Sequence, residues 1–312
     1  MKIVTIMGGT GSYVILPELK KYNVDITAII GGFDSGGSTG RIRREFGGIA
    51  LGDLRRGFLG LGSDEDAYGL LKEATKHRFN TGFMEGQCLG NFILLSQEIG
   101  KGIENIRKAE KLFGFKPNHH IMPPSFDDCQ LCAELENGEI IEGETNIDVP
   151  KHDSKIKIKR VFLRPEAFSY DECIREIENA DKIVIGPGDL YSSILQSILV
   201  KGIKEALKRS NAKKIFICNI FTKAGETHDF NVSDHIRELV KYMGVKPDYV
   251  IINSKTDLKL EGVKDCYLSF VEADAEELKK IGVKPVLADT VNYKELKKHD
   301  PQKLAKVIME LG

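Results

Sequence analysis

The sequence predicts an α/β protein with a Rossmann-like, mostly parallel sheet flanked by helices, and a small antiparallel β insertion. Short apolar segments alternate with amphipathic segments along the chain, which is the rhythm of β-α-β units. Three of the apolar segments end in glycine-rich turns, where sheets of this kind bind ligands. Between residues 125 and 161, apolar and polar residues alternate around Asn137-Gly138, which predicts the insertion and its hairpin turn. We expect one domain over residues 1–312.

Composition and charge exclude several classes of function. The chain has 45 Lys and Arg against 46 Asp and Glu, a formal net charge of −1. No excess of cations therefore attracts nucleic acid or an anionic membrane surface. No apolar run reaches the roughly 18 residues of a membrane-spanning helix, and six cysteines are too few for a disulfide scaffold. We expect a cytoplasmic protein that neither binds nucleic acid nor inserts into membranes.

Five apolar segments are expected to form strands of the sheet: Lys2–Met7, Ile26–Ile30, Lys182–Ile185, Lys214–Cys218 and Tyr249–Asn253. Apolar residues at helical spacing from Ile194 to Leu207 predict one helix between the third and fourth strands. The last helix has clear boundary signals, because Asp300 is placed to cap it and Pro301 suits its first position. Its inward face is expected to be Leu304, Val307, Ile308 and Leu311.

The turn after the first strand suits a phosphate group. It contains three glycines and two hydroxyl residues: Gly8, Gly9, Thr10, Gly11 and Ser12. Glycine lets the backbone approach a phosphate closely, and the following helix offers unpaired N–H groups. A dinucleotide fingerprint needs a third glycine where this chain has Val14, so a nicotinamide cofactor is disfavoured. The alternative is a tight turn that binds no ligand.

The second glycine turn carries an acidic residue at the end of its strand. Its candidate ligand-binding residues are Asp34, Gly36, Gly37, Ser38 and Arg41. Asp34 can bind a ribose hydroxyl, hold a cation or orient a nucleophile, and its alternative role is a helix cap. Arginines are frequent just beyond the turn, where they either clamp phosphate or form a solvated helix face: Arg41, Arg43, Arg44, Arg55 and Arg56.

The later turns extend the predicted site along the sheet. The third glycine turn contributes Gly186, Gly188, Tyr191, Ser192 and Ser193, and the segment after the next strand contributes Asn219, Thr222 and Glu226. Three such turns in one sheet indicate an extended phosphorylated ligand. The segment that contains Asn219, Thr222 and Glu226 can recognise the base or the sugar of this ligand. His228 and His235 are interpreted as surface or capping residues. Cys129 and Cys132 have no second pair at the spacing of a zinc site.

Taken together, these segments resemble the gluconeogenesis-factor family of the CofD-like superfamily, which also contains the 2-phospho-L-lactate transferase of coenzyme F420 biosynthesis. The resemblance runs nearly end to end and rests on an ordered set of motifs: Gly8-Gly9-Thr10-Gly11, Asp34 with Gly36-Gly37-Ser38-Thr39-Gly40-Arg41, Gly52-Asp53, Gly90-Asn91, Gly186-Pro187-Gly188-Asp189-Leu190-Tyr191-Ser192-Ser193, Ala224-Gly225-Glu226-Thr227, Asp234-His235 and His299-Asp300-Pro301.

The resemblance implies a regulatory protein that binds a nucleotide sugar such as UDP-N-acetylglucosamine, with links to carbon metabolism, cell-wall supply and cell shape. It adds Asn91 to the ligand-binding residues and implies a homo-oligomer, with a dimer favoured. The alternative that it implies is a Mg²⁺-dependent phosphotransferase, in which Asp34 and Asp53 are the catalytic residues and hold the metal. The chain departs from the family pattern at four positions: Ser35, Gln87, Leu278 and Lys298.

Overall fold

The structure is a computed structural model that describes residues 1–258 and 266–312. Its strands are β1 Lys2–Met7, β2 Asp25–Ile30, β3 His119–Met122, β4 Gln130–Leu135, β5 Ile140–Glu142, β6 Ile158–Arg164, β7 Lys182–Ile185, β8 Lys213–Ile217, β9 Phe221–Lys223, β10 Tyr249–Asn253, β11 Tyr267–Phe270 and β12 Lys284–Ala288. Its α-helices are α1 Gly9–Leu19, α2 Gly37–Phe46, α3 Leu51–Leu61, α4 Gly69–Lys76, α5 Leu89–Ser96, α6 Ile103–Leu112, α7 Glu144–Asp148, α8 Asp171–Glu178, α9 Gln196–Ile198, α10 Ile203–Arg209, α11 Val232–Met243, α12 Ala275–Ile281 and α13 Pro301–Glu310. A π-helical turn spans Leu190–Leu195.

The predicted fold class is confirmed by a seven-stranded parallel sheet in the order β12-β10-β8-β7-β1-β2-β3. β1 lies in the middle of the sheet, and β2 and β3 lie on one side of it. The next strand of this sheet along the chain, β7, lies on the other side of β1. The direction of winding therefore reverses between β1 and β7. Open α/β sheets bind their ligands beyond the strand ends at such a point.

Apolar side chains cover both faces of this sheet, as a parallel sheet requires. Ile3 and Met7 of β1 face a core built with α1, α3 and α13. Val4 and Ile6, the alternate residues of the same strand, face a core built with α8, α10 and α11. Helices therefore flank the sheet on both sides. None of the helices in the described part of the chain is both long and apolar enough to cross a bilayer.

The predicted insertion forms an antiparallel sheet in the order β5-β4-β6. Its hairpin turn lies at Asn137-Gly138, where Gly138 has a φ of 87°, and its last strand ends at Arg164, beyond the predicted limit of 161. Apolar residues of β4 and β6 join the same core as α8, α10 and α11. The insertion also contains the short helix α7, which the sequence pattern does not predict and which lies against the π-helical turn.

Most predicted element boundaries agree with the structure, and one predicted helix differs. Asp300 caps α13 by accepting N–H bonds from Gln302 and Lys303, both at 3.0 Å. The apolar stripe from residue 194 to 207 predicts one helix, but it forms the end of the π-helical turn, α9 and α10. The break falls at Gly202, whose φ of 97° a continuous right-handed helix cannot contain.

Arg43 fastens the turn after β2 to the insertion. Its guanidinium donates to the carbonyl oxygens of Phe33 and Asp34, both at 3.1 Å, and to that of Cys129 at 2.7 Å. It also forms an ion pair with Asp128 at 2.7 Å. Because only 8% of its side chain is exposed, these carbonyls depend on Arg43 as their hydrogen-bond donor. The position of Asp34 therefore depends on Arg43.

Replacing Arg43 with methionine should lower the free energy of unfolding by about 3 kcal/mol, because the substitution leaves several buried carbonyl groups without a donor. Denaturant unfolding of the purified protein measures this change. Arg44→Met is the matched control, since Arg44 is exposed on the same helix and should change stability by less than about 0.5 kcal/mol. Equal effects of the two substitutions would contradict a fastening role for Arg43.

Candidate functional site

A cavity of about 390 Å³ opens at the carboxyl ends of β1, β2, β7 and β8. This volume lies in the range of small-molecule sites, and the cavity lies at the point where the sheet reverses direction. We call it the apical cavity. It gathers residues from all four predicted segments of the site: Gly9, Thr10, Gly11, Asp34, Asp53, Gly188, Ser193 and Asn219.

The other predicted residues do not line the apical cavity: Gly8, Ser12, Gly36, Gly37, Ser38, Arg41, Asn91, Gly186, Tyr191, Ser192, Thr222 and Glu226. Several of them bond to other parts of the protein. Asn91 donates to the Ser38 hydroxyl at 3.1 Å, and this hydroxyl donates to Gln87 at 2.8 Å, so that α2 and α5 are joined. Arg41 is exposed and donates to the carbonyl of Glu85 at 2.8 Å. Among the five clustered arginines, Arg56 is the one that lines the cavity.

The glycines of the first turn allow close packing around the cavity. A Cβ atom at Gly9 would overlap the carboxylate and the backbone of Asp53 in α3, and one at Gly11 would overlap the carbonyl of Pro187. At Gly8 it would lie 2.8 Å from Cβ of Ser193. These glycines therefore bring α1, α3 and the turn after β7 together at one wall of the cavity, whether or not a ligand is bound.

Three carboxyl groups, those of Asp34, Asp53 and Glu144, form an acidic wall of the apical cavity. Burial and the charge of Asp34 raise the pKa of Asp53 to about 7, although the N–H of Gly9 and the cation of Arg56 oppose the shift. Burial, with the charges of Asp34 and Asp53, raises the pKa of Glu144 to about 9. Asp53 is also paired with Arg56 at 3.1 Å. Carboxylate oxygens are preferred ligands of Mg²⁺, so the wall suits a divalent cation by donor type.

Lys223 occupies a second group of carboxylates beside the acidic wall. Its ammonium group donates to Asp148, to Asp189 at 2.8 Å and to Glu226 at 2.9 Å. Burial alone would lower the pKa of Lys223, but the charges of these three carboxylates outweigh burial and raise the pKa above its ordinary value. The three carboxylates are close enough together to hold a metal ion. Because the lysine ammonium already lies among them, the protein supplies its own cation at this position.

Internal carboxylates also occupy the two helix starts that the sequence predicts to bind phosphate. Glu226 accepts hydrogen bonds from the N–H groups of Tyr191 and Ser192, both at 3.1 Å, and from the Ser192 hydroxyl at 2.8 Å. At the start of α1, Asp53 accepts the N–H of Gly9. Part of the anion-binding capacity of both turns is therefore already used by the protein.

His299 lies in the cavity lining but is held by the protein. Its Nδ1 forms a hydrogen bond with the Thr290 hydroxyl at 3.0 Å, and its ring also bonds to the backbone of Cys218. Burial lowers the pKa of His299 to about 4, so the ring is neutral near pH 7. Held by these two bonds, His299 orients its loop at the cavity.

Sequence reasoning missed several charged residues of the cavity region. Asp189 lies in the third glycine turn, at the end of a predicted strand, so the argument that selected Asp34 applies to Asp189 as well. Glu144 and Asp148 carry no comparable signal, because they follow no apolar strand of the main sheet and reach the cavity through the packing of α7. Lys223 follows a candidate polar residue, Thr222, and its burial among carboxylates is visible only in the folded structure.

Comparisons with known proteins agree with this architecture. The family model described as 2-phospho-L-lactate transferase CofD matches residues 3–291. The gluconeogenesis factor of Bacillus subtilis is 36% identical, with 99% of this chain and 98% of the relative covered. A relative from Thermotoga maritima is 38% identical, with 100% and 99% covered. The crystal structure of a UPF0052 family member from Bacillus halodurans superposes with a TM-score of 0.91 at 35% identity, covering 99% of both chains. The chain therefore belongs to the gluconeogenesis-factor family, whose members share the CofD-like fold.

Proposed function

We propose that the protein binds a nucleotide sugar of the UDP-N-acetylglucosamine kind in the apical cavity and acts as a regulatory protein. The observation that carries the proposal is the convergence of glycine turns from β1 and β7 on one cavity at the point where the sheet reverses direction. The name of the gluconeogenesis-factor family supports the proposed link to carbon metabolism. The links to cell-wall supply and cell shape, and a homo-oligomer with a dimer favoured, are part of the proposal and follow from the resemblance alone.

Cations at the rim support the binding of a phosphorylated ligand. Arg56, Lys297 and Lys298 line the cavity. Arg56 is shared with Asp53 at 3.1 Å and Lys298 with Glu295 at 2.9 Å. Because internal carboxylates already use N–H groups at two helix starts, phosphate oxygens would rely on these cations and on the free first-turn N–H groups of α1. A diphosphate fits this arrangement better than a neutral sugar does.

Asn219 supports recognition of the base or the sugar. It lines the cavity, and its Oδ1 is buried and has no hydrogen-bond partner within the described ranges 1–258 and 266–312. Its Nδ2 lies 3.5 Å from Asp189. A buried acceptor without a partner costs stability, and a ligand N–H or O–H group would satisfy it. Ile220, beside it in the lining, provides an apolar surface for a ring.

UDP-N-acetylglucosamine should raise the melting temperature of the protein, in a thermal-shift series with UDP-glucose, UDP, GDP and NAD⁺. A ligand that binds only the folded state stabilises it by about 2.7 kcal/mol at a hundredfold excess over Kd. The shift with the UDP-sugars should not require Mg²⁺. Asn219→Ala should reduce it strongly, whereas Asn118→Ala, an exposed asparagine at the start of β3, should not. No uridine-nucleotide shift at millimolar ligand would contradict the proposal.

A second candidate function is a Mg²⁺-dependent transfer of a phosphate-bearing group, and the acidic wall favours it. Asp34 and Asp53 would hold the ion, and Glu144 lies in the same lining. A bound Mg²⁺ would neutralise negative charge on transferring phosphate oxygens. The family model described as a 2-phospho-L-lactate transferase also supports this alternative. The two candidates differ in whether the ligand needs Mg²⁺ and whether it turns over.

Asp53→Asn should stabilise the ligand-free protein at pH 8 and leave its stability at pH 4 nearly unchanged. The pKa of Asp53 is raised from 3.8 to about 7 in the folded state. As the pH rises above the pKa that Asp53 has in the unfolded state, its ionisation begins to destabilise the folded state. The full effect is reached above the pKa that it has in the folded state. Asparagine keeps an acceptor for the N–H of Gly9 but carries no charge. Denaturant unfolding at the two pH values measures the difference.

The same substitution should abolish any stabilisation by Mg²⁺, since a carboxylate ligand is lost. The matched control is Asp64→Asn, because Asp64 is an exposed aspartate paired with Lys20 and Lys72 and should not stabilise the protein at pH 8. A loss of stability in Asp53→Asn at pH 8 would show instead that the ionised carboxylate supports the fold, and would contradict a destabilising charge at this position.

A further inference from the structure

A second cavity, of about 380 Å³, lies at the opposite end of the main sheet, where β8, β10 and β12 begin. We call it the basal cavity. Its lining contains one acidic residue, Asp248, and four lysines: Lys213, Lys214, Lys246 and Lys284. The two cavities therefore have opposite character, since acidic residues dominate the lining of the apical cavity and lysines that of the basal cavity.

Carboxylates balance only part of the positive charge of the basal cavity, since Asp248 is the one acidic residue among four lysines in the described lining. Within residues 1–258 and 266–312, none of the four lysine ammonium groups forms an ion pair within 4.0 Å. The carboxylate of Asp248 instead accepts the backbone N–H of Lys214 at 2.9 Å. Many other lysines of this nearly neutral chain do pair with carboxylates. Four unpaired ammonium groups around one cavity are thus a local excess of positive charge.

Two of the four ammonium groups are held in place by the main chain. Lys214 donates to two carbonyl groups that follow α10, at 2.8 and 3.2 Å. Lys246 donates to two carbonyl groups at the end of α12, at 2.6 and 3.3 Å. An ammonium group has three N–H donors, so the exposed Lys246 retains one donor for a ligand, whereas Lys214 is 5% exposed and contributes through its charge. The ammonium of Lys284 lies 5.7 Å from the ring centre of Tyr249, which also lines the cavity.

We propose that the basal cavity binds a small phosphate-bearing anion with at least two negative charges. The four unpaired ammonium groups supply the attraction, and fixing two of them in advance reduces the entropy lost on binding. Lysine acts as a point charge and lacks the planar fork of arginine, so the cavity recognises charge density more than shape. Its volume admits a pyrophosphate group or a phosphorylated metabolite. This site is separate from the apical cavity and does not rest on the function proposed for it.

Isothermal titration with pyrophosphate, in buffer without Mg²⁺ and at low salt, tests the proposal. The wild-type protein should bind pyrophosphate, and the double variant K213Q/K284Q should bind it at least roughly tenfold more weakly, because charged hydrogen bonds are lost. Both lysines are exposed and can be replaced without opening the core. Without ligand, the double variant should melt at the same temperature as the wild type or higher, because like-charge repulsion is reduced.

The control is K111Q/K116Q, which removes the same charge from two exposed lysines, one at the end of α6 and one in the segment before the far edge strand β3. It should keep the wild-type affinity. An equal loss of affinity in the control would show general attraction to a charged surface, and the proposal would then fail. It would also fail if the wild type did not bind pyrophosphate, or if K213Q/K284Q bound it with unchanged affinity, because binding would then not depend on the lysines of the basal cavity.

Discussion

The ammonium group of Lys223 holds together three parts of the chain that build the apical cavity. Its carboxylate partners come from α7 of the insertion, from the turn after β7, and from the segment after β9: Asp148, Asp189 and Glu226. Glu226 in turn caps the π-helical turn that follows β7. Removing the cation would leave three buried or half-buried carboxylates close together, at a large cost in stability. The shape of the cavity thus depends on one buried charge.

This arrangement changes how the glycine turns are understood. A glycine turn before a helix is usually read as a phosphate site because its N–H groups are free. In this protein Asp53 and Glu226 accept some of those N–H groups, and the glycines also allow the close approach of α1 to α3. An anion that a ligand brings would therefore be bound by side-chain cations, by the remaining first-turn N–H groups of α1 or through a metal ion. The lining of one cavity offers all three.

Five of the seven strands of the main sheet could be predicted from the sequence to within one residue, because buried parallel strands are short apolar runs that end in glycine or polar residues. The two edge strands, β3 and β12, are less apolar and were not predicted. β1, β7 and β10 have the predicted limits, and the N-cap of Asp300 is also confirmed. The break at Gly202 was not predicted, because the apolar residues of α9 and α10 follow the same helical spacing on both sides of it. The residues of the second carboxylate group were missed for another reason: Asp148 and Lys223 are 75 positions apart, and only tertiary packing brings them together.

The central claim is that the apical cavity is the ligand site. A crystal structure of the protein grown with UDP-N-acetylglucosamine tests it most directly. We expect density for the nucleotide sugar between the first turn of α1 and Asn219, with the diphosphate near Arg56 or Lys298 and a ligand donor bonded to the Asn219 Oδ1 atom. Nucleotide-sugar density bound elsewhere, with the apical cavity filled only by water, would contradict the claim.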